Sequence, residues 1–406
     1  MKIRDMTYED VKRISDARFS NWKSFSQKLI DNGLSSALKA HPGSPKRDVP
    51  DEIKLNEDSE VKITMVGTGG AGWVIGRYNE LRGSGGFAIE YGDERNKIQI
   101  YVDPGKNYSR DAPNYIDVNS IDGIICTHIH PDHAAELVSA LQDASLNAKR
   151  RGGKFLALNK TALTGAGDAK GTPTDKFHTK LLMGETYLMT GRDQDEVENE
   201  VENTPYSWFD GIKNEIEYEK NGLEIKLKAT KSCHQETGAS NPEDVFGFIL
   251  ETDNGTRVGY TSDTRVWEKE IGQKIDTERR TITFEKGEAP EKLIHRDDII
   301  SQYKDLNVLI ANPAAFTPAV YDGKIIDHDN NHMRVDGVVD FAKKSGAEVV
   351  TFREIAAENY RIGPEARKVL GEFGHKDFID FGIAYLEEFL PNTKIAVLND
   401  GGRIVA

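Results

Sequence analysis

The chain has 406 residues, a formal net charge of −14, and 30% charged against 37% hydrophobic residues. This composition does not favour a broad basic surface for duplex nucleic acid, since counterion release needs clustered Lys and Arg. It does not exclude a nucleotide substrate, because a bound divalent ion would add positive charge that the sequence does not count. Two cysteines cannot form a disulfide framework, and no apolar run reaches the roughly 18 residues of a membrane span. The composition therefore favours a cytoplasmic protein with no membrane association.

Residues 1–60 are predicted to form a helical N-terminal extension and linker. Apolar residues at mixed spacings of three and four predict helices over Tyr8–Phe19 and Trp22–Leu38. Three prolines and many charges make His41–Glu57 a linker. The extension either packs against the rest of the chain or takes part in oligomerisation or substrate gating.

A β-rich pattern begins at Val61. Alternation predicts a strand over Val61–Val66, which runs into the glycine-rich turn Gly67–Gly72. A dinucleotide site would need a helix directly after such glycines, and the next clear element is a strand. We therefore interpret the turn as a tight loop that lets the backbone pass close to an active site. Further elements in this half are predicted strands over 86–91, 98–102 and 121–126 and a predicted helix over 133–142.

The second half of the chain repeats this mixture of strands and helices. The acidic run Arg192–Asn203 predicts a solvated loop within an insertion near 160–210, and the charged residues 268–298 predict a hairpin or lid. The predicted strands cover 223–229, 245–251, 257–261, 308–311, 347–352 and 395–398, and the predicted helices cover 335–344, 365–373 and 379–389. Two mixed blocks without a short repeat indicate an α/β fold, a four-layer αβ/βα sandwich over 61–406.

The strongest feature of the sequence is the segment Thr127–His133, directly after a predicted strand. His128 and His130 point to the same side of an extended segment, and the proline that follows ends the strand, so that Asp132 and His133 turn at the start of a helix. Imidazole nitrogen and carboxylate oxygen are preferred ligands of zinc and similar ions. An N-cap role for Asp132 is the structural alternative, but it leaves three histidines unexplained. The segment predicts metal binding.

The pattern His-x-His-x-Asp-His after a strand resembles the signature of the metallo-β-lactamase superfamily, and the resemblance extends over 61–406. Weaker motifs follow in the family's order: Asp103-Pro104-Gly105, Ser232-Cys233-His234, Tyr260-Thr261-Ser262-Asp263-Thr264 and Asp400-Gly401. The resemblance implies one metal held by His128, His130 and His234, a second held by Asp132 and His133, and Asp263 as a bridge between them. The alternatives are a satisfied buried histidine for His234 and a turn or cap residue for Asp263.

One residue departs from the family pattern. The last histidine of the family follows a late strand, where this chain has Phe352, which cannot bind a metal. Either another residue completes the second site, or the site is weak, or only one metal binds. Glu354 is the candidate substitute ligand, because residues two apart in an extended segment point to the same side.

A second histidine-containing segment, Asp327–Met333, precedes the helix predicted at 335–344. In the nuclease and phosphodiesterase branches of the superfamily, a histidine before this helix contacts the scissile phosphate or protonates the leaving group. The resemblance implies this role for His332, with His328 as a further candidate ligand. A helix start capped by Asn331 is the structural alternative.

These residues predict a metal-dependent hydrolase with one or two zinc ions, Mn²⁺ or Fe²⁺ being the alternatives. A metal-bound hydroxide would attack, oriented by Asp132, with His332 as the general acid. The motifs favour a phosphodiesterase acting on a small nucleotide-like or other phosphodiester. The His-Glu-Ala-Thr motif of tRNA nucleases is absent at Ala311–Phe316, so a long nucleic acid is not expected. The alternatives are a lactone, ester or amide hydrolase and a non-catalytic binding protein; a homo-oligomer is a further expectation.

Overall fold

The computed structural model describes residues 52–55, 59–69, 84–145, 154–164, 184–201, 209–234, 241–269, 274–276, 281–283, 293–315, 320–321, 324–325, 332–353, 375–398 and 400–406. The helices predicted over 8–19, 22–38 and 365–373 lie outside these residues. His328, Asn331 and Glu354 also lie outside them.

Nine strands form the first sheet. They are β1 (Glu52–Lys54), β2 (Val61–Gly67), β3 (Gly86–Gly92), β4 (Lys97–Val102), β5 (Gly123–Cys126), β6 (Phe155–Leu158), β7 (Glu185–Met189), β8 (Gly211–Lys213) and β24 (Arg403–Val405). Their order is β1-β24-β2-β3-β4-β5-β6-β7-β8. The strands from β24 to β4 pair antiparallel, and those from β4 to β8 pair parallel. The central parallel strands β5 and β6 are apolar and fully buried, as expected of strands that are covered on both faces.

Seven strands form the second sheet. They are β9 (Glu215–Lys220), β10 (Leu223–Lys231), β11 (Phe246–Thr252), β12 (Arg257–Tyr260), β17 (Val308–Ala311), β22 (Val349–Phe352) and β23 (Lys394–Ala396). Their order is β23-β22-β17-β12-β11-β10-β9, parallel from β23 to β12 and antiparallel from β12 to β9. Asn221 and Gly222 join β9 to β10 with φ angles of 51° and 82°. Two positive φ angles in succession are typical of the type I′ turn of a tight hairpin.

Four short pairs of strands lie outside the two sheets. They join β13 (Trp267–Lys269) to β16 (Leu293–His295), β14 (Lys274–Asp276) to β15 (Thr281–Thr283), β18 (Pro313–Ala315) to β21 (Met333–Arg334), and β19 (Val320–Tyr321) to β20 (Lys324–Ile325). The first two pairs are antiparallel and nested, so the described part of 268–298 has the pairing of a hairpin.

Helices cover the outer faces of both sheets. They are α1 (Tyr108–Tyr115), α2 (Pro131–Ala134), α3 (Leu137–Ser145), α4 (Lys160–Thr164), α5 (Gln194–Val201), α6 (Asp297–Ile300), α7 (Val335–Ser345) and α8 (His375–Phe389). The predicted helix over 133–142 is thus divided between α2 and α3. Short 3₁₀ turns lie at Val118–Ser120 and Pro242–Asp244.

Three buried apolar clusters lie between these layers of helices and sheets. One lies between the sheets and includes Ile63 of β2 and Phe248 of β11. The second packs the first sheet against α1, α3 and α5, with Tyr108 as an example, and the third packs the second sheet against α6, α7 and α8, with Phe341 as an example. The arrangement of helix, sheet, sheet and helix confirms the predicted four-layer αβ/βα sandwich.

Three local predictions differ from the structure. The insertion predicted near 160–210 contains β7, which pairs with β6 and β8 inside the first sheet. The acidic run that predicted a loop contains α5, because Asp193 Oδ1 accepts hydrogen bonds from the first turn and the helix buries Val197 and Val201, four residues apart. The segment predicted as a linker contains β1, which pairs parallel with β24 at the edge of the first sheet.

Among the described residues, no helix is both long enough and apolar enough to cross a membrane.

Candidate metal centre

The predicted ligands follow strands that end on the same side of the sandwich. Thr127–His133 follows β5 of the first sheet, whereas Ser232–His234 follows β10 and Thr261–Asp263 follows β12 of the second sheet. Both sheets therefore contribute to one site, and residues more than 100 positions apart in sequence meet there.

Four side chains form a compact donor cluster, consisting of His128, His130, His234 and Asp263, whose ligand atoms all lie within 4.8 Å of one another. His130 Nδ1 lies 3.2 Å from His128 Nε2 and 3.0 Å from His234 Nε2. Asp263 Oδ2 lies 3.2 Å from His128 Nε2 and 3.7 Å from His234 Nε2. Bonds of about 2.0–2.1 Å at tetrahedral angles separate neighbouring donors by about 3.3–3.4 Å. The cluster has the size of a tetrahedral zinc site.

The electrostatics of the cluster suit a cation. Burial lowers the pKa of His128 to about 3 and also lowers the pKa of His130 and of His234, so these imidazoles are neutral near pH 7. Burial opposes ionisation of Asp263, yet the surrounding imidazoles, His133 above all, hold the pKa of its carboxyl well below its usual range. Neutral nitrogens and an ionised oxygen are the protonation states that metal ligation requires.

The two carboxylate oxygens of Asp263 have different surroundings: Oδ1 accepts a hydrogen bond, whereas Oδ2 is directed at the imidazoles. Asn312 Nδ2 donates to Asp263 Oδ1 at 3.0 Å. Oδ2 is buried and accepts no hydrogen bond from the part of the chain that the structure describes, although imidazole nitrogens approach it. A buried carboxylate oxygen without a hydrogen bond is costly unless a cation compensates it. This orphaned oxygen and the donor set fit a bound divalent ion.

Asp103, in the predicted aspartate–glycine turn, holds the histidine segment in place. It is fully buried, has a φ of 50°, and accepts hydrogen bonds from Thr127 N at 2.7 Å and from Thr127 Oγ1 at 2.9 Å. It also contacts His133 Nδ1 at 2.8 Å and accepts from Tyr260 Oη at 2.9 Å. Asp103 thus ties the end of β5 to the end of β12, which fixes the position of the ligands.

Asp132 and His133, predicted to hold a second metal, lie beside the cluster but are not members of it. The Asp132 carboxylate is 4.0 Å from His133 Nε2, and both side chains are buried. Burial and the neighbouring Arg353 oppose protonation of His133, but the carboxylates of Asp263 and Asp103 raise its pKa well above the usual value.

The residue after β22 was missed by the sequence analysis. Phe352 packs into the apolar cluster between the second sheet and its helices, so its side chain faces away from the site. Arg353 instead is fully buried in the site, where Nη1 lies 2.9 Å from His133 Nδ1 and Nη2 donates to the backbone oxygen of Asp132 at 2.6 Å. Glu354, the predicted substitute ligand, lies outside the described residues, and its role stays a prediction.

His332, the predicted general acid, lies at the border of the cluster. Its Nδ1 is 3.7 Å from Asp263 Oδ2, and its ring centroid is 4.7 Å from that of His234. The structure therefore brings His332 to the four-ligand cluster from the segment just before α7.

Two further residues of the site were not identified from the sequence. Asn312, directly after β17, holds Asp263, and its Nδ2 also donates to Tyr260 Oη at 3.0 Å. Tyr260, the last residue of β12, additionally accepts from Arg353 Nη1 at 2.9 Å. Their positions at strand ends, next to Asp263 or on the neighbouring strand, were the available signal.

Comparisons with known proteins found several similar solved structures. The chain is similar to a metallo-β-lactamase fold protein, YhfI, from Bacillus subtilis (15% identity, TM-score 0.47, covering 85% of this chain and 99% of that one). It is also similar to the short form of human tRNase Z (13%, 0.46, 85% and 99%) and to a diphosphatase of the PhnP family (14%, 0.42, 84% and 96%). No family model and no curated protein matches the chain. Similarity at this level does not extend to substrates.

The chain's own architecture carries the fold assignment. Two sheets with helices on their outer faces enclose a histidine motif after β5, a third histidine after β10 and an aspartate after β12. This is the metallo-β-lactamase fold that the motif order predicted.

Proposed function

We propose that the protein is a metal-dependent hydrolase that cleaves a small phosphodiester, such as a nucleotide-like one. The observation that carries the proposal is the four-ligand cluster of His128, His130, His234 and Asp263 with His332 at its border. Three neutral imidazoles and one carboxylate suit zinc, with Mn²⁺ or Fe²⁺ as alternative ions. A bound ion would polarise the phosphate and lower the pKa of a water molecule.

The exposure of the histidines supports different roles for them. The side chain of His332 is 16% exposed, whereas those of His128 and His234 are no more than 1% exposed. A histidine at the border of a buried cluster can contact both the site and a substrate that arrives from solvent. His332 is therefore the residue that we assign as general acid, delivering a proton to the leaving oxygen.

Asp132 is the residue that we assign to orient the attacking water. Its side chain is 8% exposed and lies 4.0 Å from His133 Nε2, and its backbone oxygen accepts from Arg353. A carboxylate whose backbone is fixed in this way can hold a water molecule by accepting its hydrogen bond.

The substrate class is tested with two panels of compounds. The zinc-loaded protein should hydrolyse bis(p-nitrophenyl) phosphate and nucleotide phosphodiesters but not lactones, esters or amides. His128→Ala and Asp263→Ala should abolish turnover, whereas His295→Ala, on the short strand β16, should retain it. Turnover confined to the lactone and ester panel would replace the phosphodiesterase by a carbon-ester hydrolase. Bound metal without turnover on either panel would indicate a binding protein.

The role of His332 is tested by varying the leaving group. A general acid matters most when the leaving alkoxide is a strong base, so His332→Ala should lower kcat about 10²–10⁴-fold for alkyl phosphodiesters. The p-nitrophenolate ion leaves without a proton, and the loss there should be less than about tenfold. Equal losses on both substrates would contradict the assignment. Metal content should equal that of the wild type, because His332 is not one of the four ligands.

The remaining expectations concern surroundings and partners. Cys126 and Cys233 are buried and form no disulfide with each other, which suits a reducing compartment, and we place the protein in the cytoplasm. A small phosphate-containing substrate remains the proposed partner, and a homo-oligomer stays a prediction that light scattering would check.

A further inference from the structure

We propose that the protein holds one divalent ion, not two, and that the guanidinium of Arg353 takes the position of the second ion. This inference rests on the metal centre of the proposed function but not on its substrate. It concerns the side of the site where the resemblance placed a second ion on Asp132 and His133.

Arg353 is enclosed by groups of the predicted second site. Its side chain has no exposed surface. Nη1 lies 2.9 Å from His133 Nδ1 and 3.2 Å from His133 Nε2, and Nη2 donates to the backbone oxygen of Asp132 at 2.6 Å. Nη1 also donates to Tyr260 Oη at 2.9 Å and lies 3.6 Å from Asp103 Oδ2. The guanidinium thus contacts both residues that would have held the second ion.

The contact with His133 leaves little room for an ion. Arg353 Nη1 is nearly equally far from the two ring nitrogens of His133, so it does not lie in the ring plane along the lone pair of either one. Nη1 therefore lies above the face of the imidazole ring. Nδ1 is engaged by Asp103 at 2.8 Å, and Nε2 faces Asp263 Oδ1 at 3.4 Å. A guanidinium keeps its charge at all ordinary pH values and would repel a second cation. The guanidinium, 3.6 Å from Asp103 Oδ2, already supplies a positive charge here.

The strand β22 explains why an arginine occupies this position. Side chains alternate between the two faces of a strand. Val350 and Phe352 belong to the cluster on the helix side of the second sheet, whereas Val349 belongs to the cluster between the sheets. Arg353 continues the series of Val349 and Thr351, so the position that faces the site is 353. The family's histidine position is therefore filled by a permanent cation.

The first experiment is metal stoichiometry of the wild-type protein. Metal-free protein is titrated with Co²⁺, and the d–d absorption of the bound ion is followed; inductively coupled plasma mass spectrometry after gel filtration gives the zinc content. Saturation at one equivalent, with the absorption of a tetrahedral ion, is the expected result. Two equivalents, or a spin-coupled pair of Mn²⁺ ions in electron paramagnetic resonance, would overturn the inference.

Two histidines of the same motif provide matched variants. His130→Gln removes a ligand and should abolish stoichiometric binding. His133→Gln should keep one equivalent and weaken binding by about 10–100-fold, as expected when a neighbour of a ligand is lost. Retention by His130→Gln with complete loss by His133→Gln would overturn the assignment.

Arg353 itself is tested by removing its charge. Arg353→Met should allow a second, weaker equivalent of Co²⁺, whereas Arg353→Lys, which keeps a cation, should remain at one. A folded Arg353→Met that still saturates at one equivalent would show that the guanidinium does not exclude the second ion. If Arg353→Met fails to fold, the wild-type stoichiometry decides. One bound ion without any hydrolysis would refute the proposed function and leave this inference standing.

Discussion

Removing one hydroxyl, in Tyr260→Phe, is expected to destabilise the protein substantially. Tyr260 Oη donates to Asp103 at 2.9 Å and accepts from Asn312 at 3.0 Å and from Arg353 at 2.9 Å. The ring would stay packed, because Phe87 contacts it at a centroid distance of 4.9 Å. The variant therefore isolates three buried hydrogen bonds, two of them to charged groups.

The size of the effect follows from these three bonds. A bond to a charged group contributes about 1.5–3 kcal/mol and a neutral one about 1 kcal/mol, and the partners keep other contacts, so we expect a net loss of about 3 kcal/mol. Unfolding entropy of about 2.1 cal/mol/K per residue, taken over the 406 residues, converts this loss to a fall in Tm of about 3–4 °C.

The assay is thermal unfolding of the metal-free protein, followed by circular dichroism. Tyr187→Phe is the matched control, because its hydroxyl makes one exposed hydrogen bond to Glu185 at 2.6 Å and should cost less than about 0.5 kcal/mol. A Tyr260→Phe protein that melts within 1 °C of the wild type, as the control should, would refute the reasoning that these contacts hold the site together.

Three further predictions concern metal, pH and an ion pair outside the centre. His128→Ala should lose zinc in equilibrium dialysis, whereas His295→Ala, whose ring contacts Asp340 at 3.1 Å, should retain it. Because burial lowers the pKa of His128 to about 3, this histidine takes up a proton near pH 6.5 in the unfolded chain but not in the folded one. Urea titrations of the metal-free protein should therefore show that the free energy of unfolding falls between pH 6.5 and 4.5, by about 1.4 kcal/mol per pH unit for this residue. A rise in the free energy of unfolding over this range would contradict the burial argument. Asp244→Ala should cost about 1.5–3 kcal/mol in the same titrations, because the buried Arg192 loses a charged hydrogen bond of 2.7 Å but keeps Glu200 at 2.5 Å. Glu196→Ala should cost almost nothing, because that exposed carboxylate lies 3.9 Å from the same guanidinium.

Ten of the 16 strands that the structure describes in the two sheets, and the histidine motif, could be predicted because their signals are local. β2 and α7 show apolar periodicity and β17 is a short continuous apolar run, and the structure places all three within a residue or two of the predicted bounds. The histidine motif combines ligand residue types with a strand end, which is a specific pattern. The remaining ligands, His234 and Asp263, were recognised only through the family's motif order, because each stands alone in its own segment.

The acidic helix α5 shows why composition misled. Charge dominates Arg192–Asn203, and a charged run is typical of a solvated surface. The helix depends on two valines four residues apart and on a tertiary contact, in which Arg192 Nη1 reaches Asp244 of a distant segment at 2.7 Å. The valine spacing was visible in the sequence, but the contact with Asp244 was not.

Arg353 could not be predicted because its role depends on strand register. The family pattern suggests that the side chain at position 352 faces the site. In the structure the side chain of Phe352 points towards the helices, so the residue whose side chain points into the site is 353, one position later. An arginine after a strand has no local signal of burial, since arginine is almost never fully buried unless it is paired.

The proposal of a single ion can be given a magnitude from the same geometry. An ion on His133 Nε2 at about 2 Å would lie within about 5 Å of Arg353 Nη1, because Nη1 is 3.2 Å from that nitrogen. Charges of two and one at this separation repel by about 7 kcal/mol at an effective dielectric constant of about 20. That repulsion corresponds to about five orders of magnitude in affinity. A second ion would therefore have to displace the guanidinium, and with it the hydrogen bonds to Asp132 and Tyr260, before it could bind. The four-ligand cluster, by contrast, offers a cation three neutral imidazoles and the buried Oδ2 of Asp263 as ligands.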